Sequence, residues 1–87
     1  MEIKFGNITL NDWQVSPIDN RIYHRTCNDT GLSRVTFMDD GEWFVQFDYE
    51  LSFMGGLFSP SPAINTEDAM KQVDDFLILM SKLTAFI

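Results

Sequence analysis

Alternation dominates the middle of the chain. From Glu42 to Met54 the odd positions Trp43, Val45, Phe47, Tyr49, Leu51 and Phe53 are apolar or aromatic. The even positions Phe44, Gln46, Asp48, Glu50, Ser52 and Met54 are mostly polar. Successive side chains of a strand point to opposite faces, so this stretch predicts one long strand with a buried side. A sheet covered on one face and open on the other is the antiparallel pattern.

The same logic organises the chain before it. Met1 to Leu10 predicts a tight hairpin with a two-residue turn at Gly6–Asn7. Phe5 then pairs with Ile8 and Ile3 with Leu10, while Lys4 and Thr9 share the other face. Glycine at the first central position suits a type II′ turn, and both apolar pairs fall on one side. Trp13 and Val15 suggest a short strand, and Ser16-Pro17-Ile18-Asp19-Asn20 has turn composition. Arg21 to Cys27 is a further strand with poorly separated faces: Ile22, His24 and Thr26 on one, Arg21, Tyr23, Arg25 and Cys27 on the other. That pattern suits an edge strand, or one whose second face meets a partner. Asn28 to Ser33 is a loop. Arg34 to Met38 predicts a strand with Val35 and Phe37 inward. A three-residue loop at Asp39-Asp40-Gly41 leads back, pairing Phe37 with Trp43 and Val35 with Val45.

Beyond the long strand the period changes. Gly55 to Ala63 holds two Gly and two Pro, which argue against a regular element. Leu57 and Phe58 are apolar residues there, read either as a plug for the end of the core or as an exposed contact tip. Asn65 to about Thr84 reads as a helix, with Asn65 as cap, Asp68 in the capping-box position and Ile64 and Ala69 placed as a hydrophobic staple. Ala69, Val73, Phe76, Met80, Leu83 and Ile87 recur at helical spacing, widened by Met70 and Leu77. The expected fold is α+β: an antiparallel β-sheet of about five strands in hairpins, with one C-terminal α-helix packed on its apolar face. The 87 residues make a single domain, with the sheet in 1–54, the Gly/Pro loop in 55–64 and the helix in 65–84.

The helix carries a second signal. Leu79 and Phe86 stand roughly 90–120° from the centre of the apolar stripe, and Ile78 points nearly opposite it. A helix covering a small sheet has no need of these three: either a bent C-terminus or the Gly55 to Ala63 loop covers them, or the helix back is a candidate contact for a protein partner or a second copy, a homodimer.

Charge narrows the classes. Thirteen acids against six bases give a net charge of −7. Direct binding to a nucleic-acid backbone is disfavoured, because that needs a positive footprint. An acidic face built from Glu42, Phe44, Asp48 and Glu50 is the other candidate partner site. The single Cys27 excludes an internal disulfide and fits a reducing compartment. No leader-like or membrane-spanning apolar run is present, so a cytoplasmic location is expected and no membrane association.

Chemistry is sparse. His24 is the sole histidine, and with Cys27 and Asp29 it can be written as a catalytic set. Regular strand geometry sends His24 and Cys27 to opposite faces, away from the hydrogen-bond reach that general-base or nucleophilic catalysis needs. Asp29-Thr30-Gly31 matches the three-residue aspartic-protease signature. The apolar strand before it and the glycine-containing turn after it are missing, so the match carries no expectation. One Cys and one His cannot make an ordinary structural zinc site. Asp39-Asp40-Gly41-Glu42 is too short for a calcium loop. No cofactor or metal is implied, and no catalytic residue is assigned.

Three functional readings follow. The first is a small non-catalytic protein–protein interaction module, acting through the acidic sheet face, the apolar helix back, or both. The second is an inhibitor that mimics nucleic acid. In size, charge and layout the chain resembles many small phage-encoded or mobile-element proteins, some of which inhibit host defence complexes, CRISPR machinery included. That resemblance implies no particular residue. The third is a small enzyme using His24 or Cys27.

Overall fold

The computed structural model describes residues 1–27 and 33–83. It is an α+β fold with two antiparallel sheets and a C-terminal helix. Strands β1 (Ile3–Phe5) and β2 (Ile8–Leu10) form a separate two-stranded sheet. Strands β3 (Gln14–Val15), β4 (Ile22–Thr26), β5 (Arg34–Asp39) and β6 (Trp43–Asp48) form a four-stranded sheet in chain order. A 3₁₀ segment, Tyr49–Gly56, follows β6, and helix α1 spans Thr66–Leu83.

The first hairpin has the register that its sequence specifies: Ile3 opposite Leu10, Lys4 opposite Thr9 and Phe5 opposite Ile8. Gly6 takes φ +58 and Asn7 does not enter the positive region, as a type II′ turn requires. All four apolar residues of the pair are buried. A bridge between Leu10 and Cys27, with the Asn11 N–H donating to the Thr26 carbonyl at 2.8 Å, joins this hairpin to the end of β4.

The β5–β6 hairpin departs from expectation by two residues. Phe37 lies opposite Val45 and Val35 opposite Phe47, and the loop is Asp40-Gly41-Glu42. An even slip keeps every side chain on its face, so the apolar pattern cannot choose between the two registers. The observed one sets Arg34 opposite Asp48, and their side chains pair at 3.2 Å. Gly41, at φ +88, occupies the loop tip in a conformation open to glycine.

The long strand also stops early. Tyr49 adopts φ 58, and the chain turns into the 3₁₀ segment instead of continuing to Met54. Leu51 and Met54 are buried there, three residues apart, which matches the three-residue turn. Tyr49 and Phe53, expected to face inward, are exposed. Gly55 and Gly56 close this segment, where a plain loop was expected.

β4 is an interior strand, paired with β3 on one side and β5 on the other, and not an edge. Its Tyr23, Arg25 and Cys27 side faces the core: Arg25 is 2% exposed and Cys27 is buried. Val15, expected to resume the apolar pattern, is exposed.

Helix α1 begins as its cap residues predict. The Asp68 N–H donates to Asn65 Oδ1 at 2.8 Å, and Asp68 Oδ2 accepts from the Ile64 N–H at 3.2 Å. The staple does not form, because Ile64 is 90% exposed. The buried face is Ala69, Val73, Leu77 and Met80, with Met70, Phe76 and Ile78 partly buried against the core. Ile78 is therefore not on an outward face. The helix packs against β1 as well as β6, so the hairpin lines a second flank and widens the sector that must be apolar. Leu83 is exposed, and Thr84, Phe86 and Ile87 lie outside the described residues.

Aromatic rings fill the space between the sheet and α1. Phe37 contacts Trp13, Tyr23 and Trp43, with ring centroids 6.2, 6.2 and 5.9 Å away. Phe58 contacts Trp43, Phe47 and Phe76 at 6.1, 6.1 and 5.1 Å. Phe58 thus plugs the end of the core as expected, while its neighbour Leu57 is exposed. Gln72 pins this loop to the helix, accepting from the Ser61 N–H and donating to the Ser61 carbonyl, each at 3.0 Å.

Candidate interaction surface on the open sheet face

One face of the four-stranded sheet is covered by α1 and the aromatic cluster; among the described residues nothing covers the other. Strand parity and register place three rows across the uncovered face. Ile22, Met38 and Phe44 are neighbours in the first row; Gln14, His24, Thr36 and Gln46 form the second; Thr26, Arg34 and Asp48 form the third. The rows run from apolar through neutral polar to charged.

The apolar row is a shallow cleft. Ile22, Thr36, Met38, Phe44, Val45 and Gln46 line a space of ≈ 220 Å³. Ile22 and Met38 are half-buried, but Phe44 is 57% exposed, the most exposed aromatic side chain of the strands. In the polar row, His24 Nδ1 and Thr36 Oγ1 are 3.1 Å apart. Burial, reinforced by the nearby positive charge of Arg34 and opposed by Asp48, lowers the His24 pKa below its ordinary 6.5. In the charged row, Arg34 Nε donates to Asp48 Oδ2 at 3.2 Å and Gln46 Nε2 donates to Asp48 Oδ1 at 2.8 Å.

The acidic stripe anticipated along one strand is thereby divided. Phe44 and Asp48 share the open face with Gln46. Glu42 is exposed in the β5–β6 turn. Glu50 is exposed in the 3₁₀ segment and no longer follows the strand pleat. Asp48 is held by a cation and an amide, so it is not a free carboxylate on a uniform stripe.

The helix-back candidates also separate. Ile78 is packed against the core, Phe86 lies outside the described residues, and Leu79 is 54% exposed. Leu79 stands at a second, open groove of ≈ 350 Å³ between α1 and the loop after the 3₁₀ segment, where Phe58 and Phe76 supply apolar walls and Gln72 and Asp75 polar ones.

Residues that could carry catalysis are kept apart. His24 is on the open face, and Cys27 is buried on the core side. Asp29-Thr30-Gly31 lies outside the described residues. Among the described residues no three His, Cys, Asp or Glu side chains gather as a metal site. Among them too, no helix is long and apolar enough to cross a membrane.

Two features went unread in the sequence. Ile22 and Met38 join Phe44 only once the register is known, although Ile22 already stood on the correct side of β4. The pairing of Arg25 with Asp74 was also missed. Its signal was an acid, Asp74, set between Met70 and Leu77 at the margin of the helix's apolar stripe.

No family model, curated protein or solved structure matches this chain.

Proposed function

We propose that the protein is a small non-catalytic interaction module whose contact surface is the open face of the four-stranded sheet. The observation that carries this reading is the cleft formed by Ile22, Met38 and Phe44, with Phe44 exposed although the core behind it is already filled with rings. An exposed aromatic bordering a mixed apolar and polar face is the composition of an interface anchor. Charged residues in the far row supply orientation.

This reading is favoured over nucleic-acid mimicry by the Arg34–Asp48 pair, which interrupts the run of negative charge a mimic requires. It is favoured over a small enzyme by the separation of His24 from Cys27 across the sheet.

The test is crosslinking and capture from the source cell, carried out with the native chain and three variants. Phe44→Asp should abolish capture of the partner, with the fold unchanged by circular dichroism. Asp48→Asn with Glu50→Gln should weaken it only a few fold. Leu79→Ser should leave it intact. Loss with the neutralised acids alone would favour the mimic, and loss with Leu79→Ser alone would move the surface to the helix groove.

A further inference from the structure

The two edges of the four-stranded sheet are unlike. β3 offers two residues, too short to template another strand. β6 offers six, Trp43–Asp48, in unbroken one-to-one register with β5 and so without a bulge. It contains no Pro, no Lys and no charge before Asp48. Proline, lysine and a bulge are among the devices by which proteins block an edge, and β6 lacks these three.

Ladder parity shows which backbone groups are free. The Asp39 N–H donates to the Arg21 carbonyl, so odd residues of β5 bond to β4 and even ones bond to β6. Phe44, Gln46 and Asp48 accordingly bond back to β5, and Trp43, Val45 and Phe47 direct their N–H and C=O groups outward. Among the described residues no backbone hydrogen bond reaches that edge.

We propose that β6 is a strand-addition site, and that its occupant is an extended segment of another protein carrying basic residues at both ends and an apolar residue between them. This rests on the interaction reading above and names the partner chemistry for the same face. A second copy of the chain is the wrong occupant. Two-fold antiparallel pairing that joins the outward groups of β6 over its length places either Val45 or Gln46 on the axis. The first sets Glu42 opposite Asp48, and the second sets the apolar Phe44 opposite the carboxylate of Asp48. Like charges directly opposite are destabilising, and each copy carries a net −7.

The three rows dictate the foreign strand. An antiparallel addition continues the apolar row beside Phe44, the polar row beside Gln46 and the charged row beside Asp48. The row Arg34, Asp48 then takes a Lys or Arg, and Glu42 at the other end takes another. Read from its N-terminus, the segment is basic, any, polar, any, apolar, any, basic. The unspecified positions turn to the inner side of β6, toward Phe58.

The test is selection from a displayed library of random nine-residue segments on the immobilised full chain, followed by amide hydrogen exchange with a selected peptide. In the free chain, Trp43, Val45 and Phe47 amides should exchange at least tenfold faster than Phe44 and Gln46. The selected peptides should show the alternating basic, polar, apolar, basic order, and should slow those three amides at least tenfold. Val45→Pro removes an outward N–H without removing a ladder bond and should weaken binding at least tenfold. Glu42→Gln, which leaves the backbone alone, should weaken it a few fold and reduce its salt dependence. Peptides that bind while those three amides stay fast would overturn strand addition and leave the sheet face standing as an interaction surface. No enrichment over an unrelated protein would overturn both readings. Protection of the three amides in the free chain that grows with protein concentration would replace the foreign segment with a second copy.

Discussion

Arg25 and Asp74 meet as a two-pronged pair between β4 and α1. Arg25 Nε donates to Asp74 Oδ1 and Nη2 donates to Asp74 Oδ2, both at 3.1 Å. Nη1 donates to the carbonyls of Met1 and Asn11, each at 2.8 Å. The indole of Trp13 lies 5.2 Å from the guanidinium carbon and donates its own N–H to Asp74 at 2.9 Å. The Met1 amino group pairs in turn with Asp12. One side chain therefore joins the N-terminus, the end of β2, β4 and the helix.

That arrangement predicts a steep asymmetry between single and double substitutions. Arg25→Met leaves Asp74 with one donor, and Asp74→Leu leaves a buried guanidinium with two backbone carbonyls and only the more distant carboxylate of Asp12, 3.9 Å away. Breaking one side of a buried pair costs about 3–5 kcal/mol, against a total stability of about 5–15 kcal/mol for a domain. Each single variant should be largely unfolded in mild urea. The double variant should recover much of the loss, since an apolar pair avoids the desolvation cost of both ions, leaving only the Trp13 N–H and the Met1 and Asn11 carbonyls to find other partners. Urea midpoints for the four proteins give the coupling energy directly, and additive losses would show that the pair does not act as a unit.

The two faces of the sheet should respond oppositely to truncation. Phe37 is fully buried among three rings. Phe37→Ala should cost about 3–5 kcal/mol. Phe44 is on the same hairpin but exposed, so Phe44→Ala should move the urea midpoint by no more than the equivalent of about 0.5 kcal/mol. A large loss at Phe44 would mean that it contributes to the fold and is not held free for a partner.

Much of this architecture could be read from residue order, and the failures have physical causes. The first hairpin was fixed by turn chemistry and parity acting together on Gly6, Phe5 and Ile8. In the second hairpin, parity selected the faces of Val35 and Phe37 but could not separate registers two residues apart. The Arg34–Asp48 pair, which distinguishes them, is visible only across strands. Leu51 satisfied both a two-residue and a three-residue period, and the out-of-phase Met54 was the sign that the strand had ended. The open face was harder to read because Ile22, Met38 and Phe44 come from three different strands. The burial of Arg25 was not legible because a buried cation becomes intelligible only beside its counter-ion, and Asp74 lies 49 positions away.

His24 predicts a pH dependence with a definite sign. Its folded pKa is lowered from 6.5, chiefly by burial and then by Arg34. Between the folded and unfolded values the unfolded chain binds more protons. The contribution to stability is fully present above 6.5 and is lost as pH falls through the folded pKa. Urea midpoints should drop as pH goes from 7 toward 5, and His24→Gln should flatten that part of the curve. A midpoint that rises over the same interval would mean that Asp48 outweighs burial and Arg34 at this ring.

Tyr49 is where β6 becomes a 3₁₀ segment, and its backbone predicts an unusual order of substitutions. Tyr49 has φ 58 and is 59% exposed, so little packing compensates for a conformation that costs a non-glycine residue about 1–2 kcal/mol. Tyr49→Gly removes that strain and should stabilise the protein or leave it unchanged, despite the loss of a large aromatic side chain. Tyr49→Val should destabilise it by at least about 1 kcal/mol, because a β-branched side chain tolerates positive φ poorly. Gly41, at φ +88, gives the converse: its Cβ would meet nothing within 4 Å, so any loss in Gly41→Ala comes from backbone strain and not from a clash. Gly55 and Gly56 also have open space but no positive φ. Alanine at either should stabilise by about 0.4–1 kcal/mol through the unfolded chain. Thermal unfolding of the five variants would order them as Gly55→Ala and Gly56→Ala highest, Tyr49→Gly next, and Gly41→Ala and Tyr49→Val lowest. If Tyr49→Val matched Tyr49→Gly, the left-handed conformation would not be what ends β6.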